Sequence, residues 1–135
     1  MREIKFRAKS MSKKDTKWYY GVIRSIAKDV TGFLQDCHKN CVHINANTIG
    51  QYTGLKDNNG KEIYEGDIVE AEYCIDGCLY YIEDEYGVIQ WDDKQCGFNL
   101  IFKNQLAPSP ISYYVSFKVV GNIYDTPELL EAQND

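Results

Sequence analysis

The sequence contains no apolar run near the ~20 residues that a membrane-spanning helix needs, so no membrane partner is expected. Its opening, MREIKFRAKSMSKK, is charged within two residues and lacks the apolar centre of a secretory leader, which gives a cytoplasmic protein as the expectation. The 5 cysteines are an odd number and, with no leader in view, read as reduced thiols rather than a disulfide framework. Glycines 50, 54, 60 and 66 are scattered and no G-K-[ST] follows them, so there is no phosphate loop. Neither a G-x-S-x-G elbow nor an H-E-x-x-H helix occurs, and no internal repeat or low-complexity tract is present. Basic residues are also in deficit, 15 Lys and Arg against 20 Asp and Glu, for a net charge of -5. Phosphate contacts supply much of a nucleic-acid binder's affinity, so this balance argues against nucleic acid as the main ligand.

What is present is an ordinary globular composition, 44% hydrophobic and 26% charged, in a chain of single-domain size. Tyrosine is abundant, with 11 copies. Its ring suits half-buried pleated surfaces, and its hydroxyl suits interfaces that stay partly wet.

Alternation along the chain points to strands. In EIKFRAK, Ile4, Phe6 and Ala8 face one way and Lys5, Arg7 and Lys9 the other, and WYYGVIRSI (residues 18 to 26) follows as its hairpin partner. Residues 27 to 47 are ambiguous, with a short strand expected at Cys41–Ile44 that feeds Thr48–Tyr52. Asp57-Asn58-Asn59-Gly60 is the strongest turn signal, because Asn and Gly tolerate the positive φ that tight turns require. Glu65-Gly66-Asp67 is a second turn, launching a strand at Ile68–Tyr73. Further strands are expected at Cys78–Ile82, Tyr86–Trp91, Phe98–Phe102 and within residues 112 to 124, with Pro108 and Pro110 bracketing a loop. Thr126-Pro127-Glu128 reads as a helix start with Thr126 as N-cap. Short strands at about ten-residue spacing predict a mainly β fold. The expected form is a small antiparallel, SH3-like barrel in the C-terminal half, with an N-terminal β-hairpin extension and a short C-terminal helix. Residues 1–135 are read as one domain, with 1–50 the hairpin and irregular segment, 51–125 the barrel-like part and 126–135 the helix and tail.

Three groupings could carry chemistry. Cys37 and Cys41, with His38 and His43 beside them, are echoed by Cys74 and Cys78; two C-x₃-C pairs could give four thiolates to a tetrahedral zinc. The spacing is looser than in zinc knuckles, and a free cysteine equally serves as a small core residue, so no cofactor is expected. Carboxylates cluster at Glu62, Glu65 and Asp67, at Glu83, Asp84 and Glu85, and at Asp92 and Asp93, as they do in solvated turns. No thiol or carboxylate has a separate base and orienting group beside it, so no enzyme is expected. Lys and Arg interleaved with aromatics over residues 5 to 24 could form a platform for single-stranded nucleic acid, the alternative function, through Arg2, Lys5, Arg7, Lys9 and Arg24. Tyr52, Tyr64 and Asp67 are the expected interaction surface.

REIKFRAKS, then QYTGLKDNNGKEIYEGDIV and VVGNIYDTPELL, together resemble the YopX family of phage and prophage proteins, from the first residues to about Leu130. Lys9-Ser10 departs from the Trp-Asp of many relatives, while Gly87–Trp91 and Gly97-Phe98 match further elements. The resemblance implies a phage-encoded protein in a bacterial host, with no established enzymatic activity. It also implies that the cysteine pairs fall in variable stretches. The function expected is therefore a non-enzymatic binding or assembly module, whose partners are a second copy of itself (a homo-oligomer) and an unidentified phage or host protein.

Overall fold

The computed structural model describes residues 3–81, 85–103 and 108–131. Arg2, Glu83 and Asp84 of the groupings above lie outside the described residues. The fold is mainly β, with curled antiparallel sheets and one short α-helix, and it divides into two compact units, Met1–Gly54 and Leu55–Asp135.

The first unit is built from β1 (Phe6–Lys9), β2 (Trp18–Ile26), β3 (Thr31–Gln35), β4 (Cys41–Asn45) and β5 (Gly50–Lys56), which runs on into the second unit. Spatial order is β4–β3–β2–β1–β5, all antiparallel. The sheet curls far enough for the end of β1 to meet β4: Ser10 bridges Ile44, and the Met11 N–H donates to the His43 carbonyl at 3.0 Å. Alternation sends Ala8, Leu34 and Ile44 to the inside, where each is fully buried and packed by Tyr19, Ile23, Val42 and Ile49. The expected β1–β2 hairpin is present, but it is part of a larger sheet. Residues 27 to 47 hold two strands rather than one. A methyl group on Gly21 would lie 2.0 Å from the Gln35 carbonyl, so this crossing of β2 and β3 admits only glycine.

The second unit opens with the last residues of β5, turns through Asp57–Gly60, and continues through β6 (Glu62–Tyr64), β7 (Asp67–Ile75), β8 (Cys78–Tyr81), β9 (Gly87–Asp92), β10 (Gly97–Phe102), β11 (Ser109–Pro110), β12 (Ser116–Asn122) and α1 (Glu128–Glu131). Its sheet runs β11–β10–β9–β7–β12, with β8 paired to β7. Ile63, Val69, Ala71, Ile89, Leu100, Phe102, Tyr114 and Phe117 form the core. Asp76 and Gly77 link β7 to β8 with φ of +51° and +81°, and Ile75 pairs Cys78 across them. This is a two-residue type I′ hairpin, whose twist matches that of the strands. β7 therefore runs two residues further than its expected end at Tyr73. Thr126 is not engaged as a helix cap: its hydroxyl accepts from the Asn122 N–H at 3.0 Å and donates to the Asn122 carbonyl at 3.1 Å, closing the turn before α1.

Candidate functional site

The block from residue 51 to 69 folds around two buried carboxylates. Asp57, 8% exposed, accepts at Oδ1 from the backbone N–H groups of Asn59 and Lys61, both at 2.9 Å. Its Oδ2 accepts from the N–H of Val119 on β12 at 3.0 Å, a bond that spans 62 positions of chain. The Asn58 N–H donates to the Phe117 carbonyl at 2.9 Å, so the D-N-N-G turn is riveted to β12 twice. Burial pushes the Asp57 carboxyl up, but the three backbone donors outweigh it and hold the group below its ordinary value of 3.8. Asp67, 1% exposed, accepts from the Tyr64 N–H at 2.8 Å across a turn in which Gly66 takes φ +92°.

The expected interaction surface is corrected by this packing. Tyr52 is 6% exposed, Tyr64 2% and Asp67 1%, so none of the three offers a surface to a partner.

The carboxylates of the next turn are also engaged locally. Asp92 accepts at Oδ1 from Lys94 and Gln95, and Asp93 accepts from the Trp91 indole at 2.8 Å. All the cysteines are exposed and unpaired, Cys37 and Cys41 at the β3–β4 turn of one unit and Cys74 and Cys78 on the β7–β8 hairpin of the other. Cys74 lies opposite Leu79 and Cys78 opposite Ile75, and neighbouring cross-strand pairs point to opposite faces, so these two thiols face away from each other. Among the described residues no three His, Cys, Asp or Glu side chains gather as a metal ion requires. No helix among them is long and apolar enough to cross a membrane.

Three cations of the basic hairpin, Lys5, Arg7 and Lys9, lie over aromatic rings, while Arg24 on β2 is exposed. The Arg7 guanidinium lies 4.3 Å from the centre of the Trp18 ring and Arg7 is 4% exposed. Lys9 lies over the same ring and Lys5 over Tyr52, both at 5.4 Å, and Lys5 also pairs with Glu3 at 3.3 Å.

The exposed chemistry of the second unit is aromatic. Tyr73 and Tyr80, cross-strand partners, stack with ring centres 5.6 Å apart, and Tyr113 stacks on Tyr73 at 5.7 Å. Tyr113 meets the buried Tyr114 edge-on at 5.2 Å, and Tyr114 in turn touches Phe102 and Phe117 of the core. Burial raises the Tyr114 phenol above its ordinary value, while its hydrogen bond with Ser109 acts the other way. The ladder thus starts in the core and ends in solvent, where Tyr80 is 46% and Tyr113 53% exposed. Ile75, Leu79 and Val115 are exposed nearby in the chain. Sequence reading did not single out these tyrosines. Asp76-Gly77 was the available signal, since a two-residue turn centred there pairs Tyr73 with Tyr80.

These features define a small, mainly β protein of curled antiparallel sheets with an exposed tyrosine ladder. A family model, YopX protein, matches residues 5–131, and the chain belongs to that family. No curated protein matches it.

Proposed function

We propose that this YopX-family protein is a phage or prophage protein of the bacterial cytoplasm that acts as a non-enzymatic assembly module, meeting a second copy of itself through the tyrosine ladder. The observation that carries this reading is the stack of Tyr73, Tyr80 and Tyr113, anchored on the core and exposed at its outer end. Stacked tyrosines present large, rigid, amphipathic area whose ordering cost is already met in the free protein, the property that enriches them at interfaces. β8, which carries Tyr80, pairs only with β7 among the described residues, so its outer edge is open to another strand. Within this reading the second unit is a small SH3-like barrel, whose short antiparallel strands supply a stiff mount for the ladder.

Size-exclusion chromatography with light scattering tests it. The expected mass is twice the 15.6 kDa chain, and Tyr80→Glu is expected to return it to a monomer with an unchanged circular-dichroism spectrum and melting temperature. A wild-type monomer at high concentration would overturn the reading. The nucleic-acid alternative is weaker because Arg7 is buried and Lys5 and Lys9 lie over rings.

A further inference from the structure

Of the chain's asparagines, only Asn59 is followed by glycine. An Asn-Gly peptide is reactive, because a glycine nitrogen with no side chain beside it can attack the Asn side-chain carbonyl carbon and close a five-membered succinimide. Asn59 and Gly60 are both exposed in the D-N-N-G turn. Nothing lies within 4 Å of where a Cβ on Gly60 would stand, so packing does not hinder that approach. The Asn59 side-chain amide is bonded to nothing among the described residues and is free to turn. The restraint lies in the backbone. The Gly60 N–H donates to the Asp57 carbonyl at 3.0 Å, which keeps the attacking nitrogen protonated and tied. Asp57 Oδ1 accepts from the Asn59 and Lys61 N–H groups, both at 2.9 Å, so one residue holds the reactive peptide on both sides.

We infer that Asn59 is a site of spontaneous deamidation, gated by opening of the Asp57 clamp, whose isoaspartyl product unties the turn from β12. In the open turn the Gly60 nitrogen loses its proton to hydroxide and bonds to Asn59 Cγ. The Cγ–Nδ2 bond breaks, and Nδ2 takes a proton from water and leaves as ammonia. A second water opens the succinimide at either carbonyl, giving isoaspartate or aspartate; the sum is asparagine plus water to the acid plus ammonia. In isoaspartate the main chain runs through Cβ and Cγ and is one methylene longer, so the N–H groups of Gly60 and Lys61 lose their register with Asp57. The same turn carries the Asn58 bond to Phe117 and the Asp57 bond to Val119, so its distortion reaches β12. Turn opening is fast beside this chemistry, and the rate therefore follows the population of the open turn. The site is separate from the tyrosine ladder and stands or falls independently of it.

The test incubates the full chain at mildly alkaline pH, folded and in urea, and maps isoaspartate by peptide mass analysis with isoaspartyl methyltransferase labelling. Isoaspartate is expected at residue 59 in both, accumulating more slowly in the folded protein. Asp57→Ala, compared where its circular-dichroism spectrum is native, is expected to raise the folded-state rate about tenfold, as loss of hydrogen bonds to a charged acceptor implies. Asn59→Gln, which keeps every backbone bond of the turn, is expected to abolish the product. The isoaspartyl form, separated on ion exchange by its extra negative charge, is expected to unfold at lower urea and to exchange its Val119 amide faster. Equal rates in the folded and unfolded chain, an Asp57→Ala rate equal to wild type, no product at residue 59, or an isoaspartyl form with the wild-type urea midpoint would each overturn the inference.

Discussion

Replacing Asp57 tests the physical account of the 51–69 block most directly. In Asp57→Ala three backbone N–H groups lose their acceptor. Those of Asn59 and Lys61 sit in an exposed turn, where water can replace the carboxylate at modest cost. The Val119 N–H is partly buried on β12 and is left without a partner. Hydrogen bonds to charged groups contribute ~1.5–3 kcal/mol each, so one bond lost in full and two partly replaced give about 2–4 kcal/mol. Asp57→Asn is the sharper variant. Both carboxylate oxygens accept from N–H groups, so either orientation of the amide sets an N–H₂ against a backbone donor. The isostere is therefore expected to cost about 2 kcal/mol rather than to rescue the turn. Urea unfolding reads this directly: with a slope of ~1–3 kcal/mol per molar, the midpoint falls by about 1 M. Hydrogen exchange at the Val119 amide should accelerate in parallel. An Asp57→Asn protein within about 0.5 kcal/mol of wild type, a range typical of innocuous surface changes, would refute the reasoning.

The same carboxyl sets an acid limb. Because its folded value is depressed, it contributes stability above the ordinary carboxyl range, and that contribution is lost as pH falls through the folded value; urea midpoints should drop below about pH 4 in wild type and less steeply in Asp57→Asn. Gly87→Ala would place a methyl group 2.5 Å from Leu100 Cδ1 in the core, so a loss of about 1–3 kcal/mol is expected in thermal or urea unfolding. Gly121→Ala would lie 2.0 Å from the Thr126 hydroxyl, and its cost should shrink in a Thr126→Ala background; strictly additive costs would exclude that contact as the cause. Gly77→Ala meets nothing within 4 Å but must keep φ +81°, so a loss of about 1 kcal/mol is expected from conformation alone, again read by urea midpoint.

Much of the strand content was legible because local periodicity reports it. Trp18–Ile26 has the same bounds in the sequence reading and in the fold, and Asp57–Gly60 turns as its Asn and Gly residues require. The segment from 27 to 47 was less legible, since a glycine in β3 and a turn at Asp36–Asn40 interrupt the alternation on which a strand is recognised. Asp76-Gly77 lies inside the Cys74/Cys78 pair, which was weighed only for its thiols, although the same dipeptide is a hairpin signal. Tyr52, Tyr64 and Asp67 were placed at a contact surface because tyrosine suits partly wet interfaces and turn acids are usually solvated. Their burial depends on contacts and on a turn geometry that composition does not report. The bond between Asp57 and Val119 lies beyond any local pattern, because nothing near residue 57 names a strand 62 positions away.

β12 is the last strand of its sheet, with β7 on one side only, and such a strand normally exposes a row of unpaired backbone groups. Here the Phe117 carbonyl and the Val119 N–H, successive groups on that outer margin, are occupied by the Asn58 N–H and the Asp57 carboxylate. A turn from early in the unit thus acts as a cover strip for its final strand, denying foreign chains a template on which to add. Uncovering it should make Asp57 variants prone to aggregate during expression and refolding, a failure of solubility distinct from any loss of folded-state stability.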